Sequence, residues 1–282
     1  MPIFIKLKSD DRAKLFYALK NKLHKSWESI YPDFGVSRSM FFNYLSGRYY
    51  IPEKIFSQLQ NISGLKIVHT QEIYIEKYVK KDVIKPKMNS ELAEIFGIIK
   101  GDGHIDKEGR EICIVGNALE ADYFNYLKDI FERNFNLKFT MFKMRPTALK
   151  LRVYSKGLVE ILVKNYGFPF GHKTGKLSIP KHVFKSKEFL ISYIRGLFDT
   201  DGSIYVRRKK DMVVEIISVD KNYLNQIKEA LFSLNFKAGI SGKNLYIYNQ
   251  EDIKRFFEII KPANSKHLKR FSLYSKNQAL VV

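Results

Sequence analysis

One cysteine, Cys113, stands in 282 residues. With no second thiol an intramolecular disulfide is excluded, a zinc site built on cysteine pairs goes with it, and a reducing compartment suits the chain. Cys113 lies in the strand-like run Glu111-Ile112-Cys113-Ile114-Val115, where a buried structural thiol is expected rather than a reactive one. Long apolar runs are missing too. None approaches the ~20 residues of a membrane-spanning helix, and Met1-Pro2-Ile3-Phe4-Ile5-Lys6 meets a charge too early for a signal peptide, so a cytoplasmic location without membrane contact is expected. Acid is the third shortage: 29 Asp and Glu face 49 Lys and Arg, leaving a formal charge of +20 spread along the chain rather than held in a tail. Such a surface attracts acidic polymers, nucleic acid first among them, although a soluble basic protein without that partner has the same composition.

Apolar material is plentiful, 45% of residues with 22 Phe and 17 Tyr, enough for the cores of two or three domains. The chain also repeats itself. Phe96-Gly97-Ile98-Ile99-Lys100-Gly101-Asp102-Gly103-His104-Ile105 is answered by Arg195-Gly196-Leu197-Phe198-Asp199-Thr200-Asp201-Gly202-Ser203-Ile204. In each copy an apolar run of helical length carries a glycine near its end and closes in Asp-Gly. Tyr123, Asn125 and Lys128 recur as Tyr223, Asn225 and Lys228, and Leu151-Arg152-Val153-Tyr154 as Leu245-Tyr246-Ile247-Tyr248. A period this long makes each copy a structural unit rather than a solenoid turn.

Residues 1–65 read as a compact helical domain, with Leu15, Phe16, Leu19 and Leu23 at helical spacing behind Asp11. From Phe34 to Arg48 the chain offers a glycine turn at Gly35, a cap at Ser37, an apolar face of Met40, Phe41, Tyr44 and Leu45, and a closing Gly47. The stretch resembles the turn and recognition helix of a helix-turn-helix domain, which would set Arg38, Ser39, Asn43 and Arg48 toward a DNA groove. A small bundle that touches nothing has the same pattern. Residues 66–88 are Lys-rich, run into Ile84-Lys85-Pro86-Lys87, and read as a linker with some extended structure; Pro86 requires a new element after it.

Two units follow, 89–180 and 181–282, each reading as helix, two strands, helix, two strands, helix. Antiparallel sheets covered by helices on one face are expected, the other face meeting solvent or a ligand. Basic residues gather at that face: Lys143, Arg145, Lys150 and Arg152 on the first hairpin, Lys237 and Lys243 on the second, and Arg207, Arg208 and Lys209 after the second Asp-Gly. Arginine there can read guanine and lysine can hold phosphates. Any one of these lysines is as well explained by a solvated surface; the cluster is what points to nucleic acid.

The doubled stretch resembles the paired motifs of the LAGLIDADG homing endonucleases, in the single-chain form that carries both copies, over residues 89 to about 270. Gly196-Leu197-Phe198-Asp199-Thr200-Asp201-Gly202 matches closely, while the first copy has Lys100 where the motif has an acid. The resemblance implies an α+β fold: two pseudo-symmetric αββαββα units forming a saddle of antiparallel sheets, here preceded by a small all-α helix-turn-helix-like domain. It implies a monomer that cuts both strands of duplex DNA across the minor groove at a long asymmetric site, leaving short 3′ overhangs. Gly97 and Gly196 would let the two motif helices approach. Asp102 and Asp201, with the carbonyls of Gly101 and Thr200, would hold Mg²⁺ or Mn²⁺, and a lysine after each unit, Lys173 or Lys176 and then Lys266, would assist. A single Asp-Gly at a helix end is ordinarily a plain turn; two equivalent copies reverse that weighting. His104 is replaced by Ser203 in the second copy and is not taken as a base.

The absence of evident splicing residues at the ends favours an intron-encoded or free-standing enzyme, nucleoid-associated when bound, over an intein. The alternative from another class is a non-cleaving binder on the same fold, an intron RNA maturase or a transcription regulator. With about ten phosphates neutralised, the logarithm of DNA affinity should fall with the logarithm of salt concentration at a slope of about −9. Anisotropy titrations on a labelled duplex measure it, and a slope near zero would leave the basic faces without a phosphate partner.

Overall fold

The computed structural model describes residues 2–68, 70–75, 82–207 and 211–279, with backbone alone for residues 82 and 276–279. The chain divides into two compact units, Met1–Lys85 and Pro86–Val282. Among the described residues no helix is long and apolar enough to cross a membrane.

The first unit runs β1 (Ile3–Lys6), α1 (Ser9–Leu23), α2 (Trp27–Ile30), a 3-10 turn over Tyr31–Phe34, α3 (Arg38–Ser46), β2 (Ile51–Pro52), α4 (Glu53–Ser63), β3 (Gln71–Ile75) and β4 (Asp82–Ile84). Its strands pair antiparallel in the order β2-β1-β3-β4. This corrects one expectation, since the unit is not all-α, and sharpens another: the extended structure expected within residues 66–88 is there as β3 and β4, which join the first unit's sheet rather than only linking. Strands of two to five residues carry little periodicity, and their stability comes from partners far along the chain, as Ile5 pairs with both Ile51 and Glu72. Phe16, Trp27, Phe34 and Phe41 form an aromatic cluster with centroids 5.5 to 6.2 Å apart. Ser37 caps α3 by accepting from the Met40 N–H at 3.3 Å, and Gly47 closes it at φ 79°. Met40 itself, expected on the inner face, is 38% exposed.

The second unit contains α5 (Ser90–Lys100), β5 (Gly103–Ile105), β6 (Glu111–Asn117), α6 (Ala121–Phe135), β7 (Thr140–Arg145), β8 (Ala148–Tyr154) and α7 (Lys156–Tyr166). The pattern returns as α8 (Lys187–Asp201), β9 (Gly202–Arg207), β10 (Asp211–Ile217), α9 (Lys221–Ser233), β11 (Gly239–Ser241), β12 (Asn244–Ile247) and α10 (Gln250–Ile260), followed by α11 (Ser265–Ala279). Helix α11 was not foreseen; Phe271 stacks on Phe257 at 4.1 Å, and the buried His267 ring lies 4.5 Å from that of Phe198. The sheets, β5-β6-β8-β7 and β9-β10-β12-β11, are antiparallel and topologically equivalent. Ile112, Ile114, Leu149 and Leu151 are buried along one face of the first sheet and Met212, Val214, Ile216 and Leu245 along one face of the second; the opposite faces are mixed, with Cys113 and Val213 buried among polar residues such as Arg152 and Glu215.

Helices α5 and α8 start from side-chain caps, Asn89 on the Leu92 N–H at 2.7 Å and Ser186 on the Phe189 N–H at 3.1 Å. They then cross backbone to backbone. A Cβ on Gly97 would sit 2.1 Å from the Tyr193 carbonyl oxygen, and one on Gly196 2.1 Å from that of Glu94, so neither position has room for any side chain. The crossing is locked by Glu94, only 2% exposed, which accepts from Tyr126 Oη at 2.7 Å and Arg195 Nη1 at 3.1 Å, while Arg195 Nε donates to the Ile260 carbonyl at 2.7 Å. Gly196→Ala should cost about 3 kcal/mol through backbone separation. Gly239→Ala, with nothing within 4 Å of the added carbon, should cost less than about 1 kcal/mol. Urea unfolding of both variants measures the difference.

Candidate functional site

Because α5 and α8 cross at their glycines, their C-terminal ends emerge together. A Cβ on Gly101 would lie 2.0 Å from Thr200 Oγ1 and 3.4 Å from Asp201 Cγ, which places the first Asp-Gly turn directly against the second. Thr200 Oγ1 is turned back to the carbonyls of Gly196 and Leu197 at 3.0 and 2.9 Å, so its hydroxyl hydrogen is spent within α8.

The charges at the two turns act on one another. Burial first, and then the nearby Asp102 carboxylate, push Asp201 up to about 7, against the pull of Lys173 and Lys266. Asp102 retains an exposed surface, yet the crowding around it raises its carboxyl as well; Lys266 and then Lys173 oppose the rise, and Glu120 adds to it. Burial lowers Lys173, countered by Asp201 and then Asp102. The influence is crossed: Lys173, following the first repeat, acts more strongly on Asp201, and Lys266, following the second, more strongly on Asp102.

The lysines are held differently. Lys173 Nζ donates to the carbonyls of Lys100 at 3.0 Å and Gly103 at 2.9 Å, and also to that of Gly101. Lys266 Nζ pairs with Glu120 Oε1 at 3.3 Å. Lys176 is exposed and lies outside this set of mutual influences. Lys100 is 1% exposed with its Nζ 4.3 Å from the Phe168 ring centroid, and burial together with Lys173 brings it down to about 8. It fills space beneath the turn, so the departure from the motif is absorbed by an aromatic ring. Next to the second turn, Asp199 accepts from the Ala263 and Asn264 N–H groups at 2.8 and 3.1 Å, and burial raises it to about 7.

Among the described residues no group of three or more His, Cys, Asp and Glu is placed to hold a metal. The donor set at the turns is instead two carboxylates and backbone carbonyls, all hard oxygens. That chemistry suits a cation such as Mg²⁺, which takes few protein ligands and keeps several waters, and it does not suit a soft ion.

The basic residues named from the sequence do not all share one surface. In the first sheet Arg152 pairs with Cys113 and Thr140, and Lys150 with Val115 and Phe142, so Arg152 and Lys150 share the polar face with Arg145, opposite Ala148. Lys143 pairs with Leu149 and falls on the other side of the register, next to the irregularity between Lys143 and Arg145. Lys150 is tied to Glu111 at 2.6 Å, and Arg152 lies over the Phe142 and Tyr154 rings. Among the described residues the second sheet's polar face is less basic. Glu215, 8% exposed, accepts there from Ser203 Oγ at 3.2 Å and Asn244 Nδ2 at 2.6 Å, Tyr246 stacks on Tyr248, and Arg207 sits 6.0 Å from the Tyr248 ring. Lys243 is exposed in the β11–β12 turn, and Lys237 precedes β11 beside Phe232 and Phe236. Arg208 and Lys209 lie outside the described residues. In the first unit Arg38 pairs with Glu28 at 3.1 Å and covers the Phe42 ring, Ser39 is exposed, and Asn43 is half-buried with its carbonyl accepting from the Tyr49 N–H. Arg48 borders an open recess of about 630 Å³ shared with Lys6, Tyr44, Tyr49 and Tyr50.

Sequence reasoning missed Glu120, Glu215 and Asp199 as parts of these surfaces. Two of them carried a signal: Glu120 stands opposite Asp220 in the repeat, one place before each middle helix, and Asp199 is the motif's acid at the place where the first copy has Lys100.

Two raised carboxyls have a consequence for stability. A folded pKa of about 7 against an ordinary 3.8 means that the folded chain holds protons that the unfolded chain releases, so stability falls as pH rises from about 4 to about 7. Asp201→Asn, measured in chelator, should flatten that decline and raise the thermal midpoint at pH 7.5 by about 3 °C. A midpoint lowered equally at all pH values would mean that the carboxylate is not under strain.

Residues 188–261 match the family model described as LAGLIDADG-like domain. The chain is similar to an uncharacterized protein, MJ0314, of Methanocaldococcus jannaschii, 25% identical over 166 residues that span 58% of this chain and 60% of that one. It is similar also to a stretch of the replication factor C small subunit of the same organism, 30% identical over 184 residues, 65% of this chain and 9% of that protein. It therefore spans less than two thirds of these curated relatives. Among solved structures it is similar to the N-terminal LAGLIDADG domain of DUF199/WhiA (21% identity, TM-score 0.43, covering 62% of this chain and 85% of that one) and to I-SmaMI bound to uncleaved DNA in the presence of calcium ions (14%, 0.44, 64% and 87%). The family match thus falls on the second copy of the doubled motif: residues 188–261, which hold Asp201, are similar to a LAGLIDADG-like domain.

Proposed function

We propose that the chain is a metal-dependent endonuclease that acts as a monomer on duplex DNA and hydrolyses one phosphodiester in each strand at a long asymmetric site. What supports this above all is the meeting of the two Asp-Gly turns at the ends of two equivalent helices, where Asp102 adds to the burial that raises Asp201 and Lys173 and Lys266 act on both carboxyls. A pure binding protein gains nothing from two carboxyls brought together in this way.

In this reading Asp102 and Asp201, with the carbonyls of Gly101 and Thr200, would hold Mg²⁺ or Mn²⁺. The bound ion would make water a better nucleophile and offset charge on the attacking and leaving oxygens. Lys173 would release the Gly101 carbonyl as the ion enters and, with Lys266, face the phosphates with positive charge. The polar sheet faces read the two half-sites. Arg145, Lys150 and Arg152 on one, and Tyr246, Glu215 and Arg207 on the other, differ enough that the halves of the target must differ too. The first unit, with Arg38, Ser39, Asn43 and Arg48, adds contacts beyond the two repeats and lengthens the site.

The test is a cleavage selection on a randomised duplex pool with Mg²⁺, with a Ca²⁺ control and Asp102→Asn and Asp201→Asn variants, followed by sequencing of new ends. Either variant should lose cutting by about 10³-fold, as when a group acting on transition-state charge is removed. Its DNA affinity should stay within about threefold, because phosphate contacts elsewhere dominate binding. Ends sharing one motif and short 3′ overhangs support the endonuclease. Retention of duplex, or of structured RNA, with no new ends would replace it with a regulator or an intron RNA maturase.

A further inference from the structure

Glu120 and Asp220 occupy equivalent places, each one residue before the middle helix of its repeat, and each grips the segment that follows the other repeat. Asp220 Oδ2 accepts from the Leu177 N–H at 3.2 Å while Oδ1 caps α9 through the Tyr223 N–H at 3.2 Å. Gln226 adds a second tether, on the Ile179 N–H at 2.8 Å. Glu120 Oε2 accepts from Asn264 Nδ2 at 2.9 Å, and its Oε1 pairs with Lys266 Nζ at 3.3 Å. One brace thus ends on backbone amides and the other on a charged lysine.

The consequence is electrostatic. Lys173 donates to three neutral carbonyls rather than to a carboxylate. Lys266 shares its charge with Glu120, its side chain 31% and that of Glu120 19% exposed, so solvent screens the pair only in part. The carboxylate of Glu120 also acts directly on Asp102, with the sign opposite to that of Lys266. The two halves of the site therefore present unequal positive charge, even though the helices that build them are equivalent.

We propose that Glu120 is a positioning residue for Lys266, and that by holding and partly neutralising this lysine it makes the two strands of the DNA be cut at unequal rates. The proposal rests on the endonuclease reading and on the unequal contacts of the two lysines, Lys266 on the Glu120 carboxylate and Lys173 on backbone carbonyls.

Glu120→Gln is the informative variant, because the amide oxygen still accepts from Asn264 while the charge opposite Lys266 is gone. Two measurements on the full chain separate the possibilities. The first needs neither DNA nor metal: trace acetylation read by peptide mass spectrometry should show Lys266 gaining reactivity about threefold relative to Lys173, the release expected of a partly exposed ion pair. The second uses a supercoiled plasmid carrying the site recovered in the selection. Wild-type protein should pass through a nicked circle with one strand preferred, and Glu120→Gln should change the ratio of the two strand rates by about fivefold. Lys266→Arg, which keeps the cation, should stay nearer to the wild-type ratio than Lys266→Met. Unchanged Lys266 reactivity would overturn the contact. Increased reactivity with an unchanged strand ratio would overturn the part assigned to it in catalysis. A wild-type protein that cuts neither strand overturns the endonuclease reading, and the strand order with it, while the acetylation result still reports on the brace itself.

Discussion

The second unit depends on a contact that only glycine permits. With Gly97 and Gly196 at the crossing of α5 and α8, backbone meets backbone, and the added carbon of even an alanine would stand 2.1 Å from a carbonyl oxygen. Everything nearer the aspartates follows from that approach, because helices this close must end close. The buried Glu94, satisfied by Tyr126 and Arg195, holds the crossing in register, and Arg195 carries the restraint on to the end of α10. The arrangement leaves Asp201 with a carboxyl raised by burial and by the neighbouring Asp102. Lys173 and Lys266 offset the rise in part, and each acts chiefly on the other repeat's carboxylate.

Equivalence of backbone does not make the halves equivalent in charge. Both sheets have the same strand order, yet one polar face carries Arg145, Lys150 and Arg152, and the other a buried carboxylate, Glu215, among tyrosines. The same divergence appears at the turns, where Lys100 is buried against Phe168 on one side and Thr200 folds its hydroxyl back on the other. A duplicated scaffold keeps the positions of helices and strands because packing demands it. Side chains on the open faces are released from that demand and can differ.

Much of the second unit could be read before its structure. The Asp-Gly turns, the paired glycines and the downstream echo are short-range or periodic signals, and they led to two αββαββα units, which the structure contains. The first unit was harder. Helix α3, with its Ser37 cap and closing Gly47, was legible because capping is local; the sheet was not, because β1 has four residues and gains its stability from Ile51 and Gln71–Ile75, far along the chain. Helix α11 escaped for a similar reason: its contacts, Phe271 on Phe257 and His267 beside Phe198, are made with other elements.

By itself the sequence determined the doubled motif, the helices that carry it, the basic balance of the surface and the impossibility of a disulfide, since these depend on residue types and on spacing within a few turns. Only the tertiary structure decided which lysine belongs to the aspartates. Lys176 is three residues from Lys173 and chemically identical, yet it remains exposed while Lys173 reaches three carbonyls at the end of α5. It decided also that Lys143 faces away from Lys150 and Arg152, and that Glu120 meets Lys266 across 146 residues. The reason is common to all three. Where a side chain points, and which distant charge it meets, is set by strand register and by the crossing of helices, and neither is encoded in the residue's own neighbours.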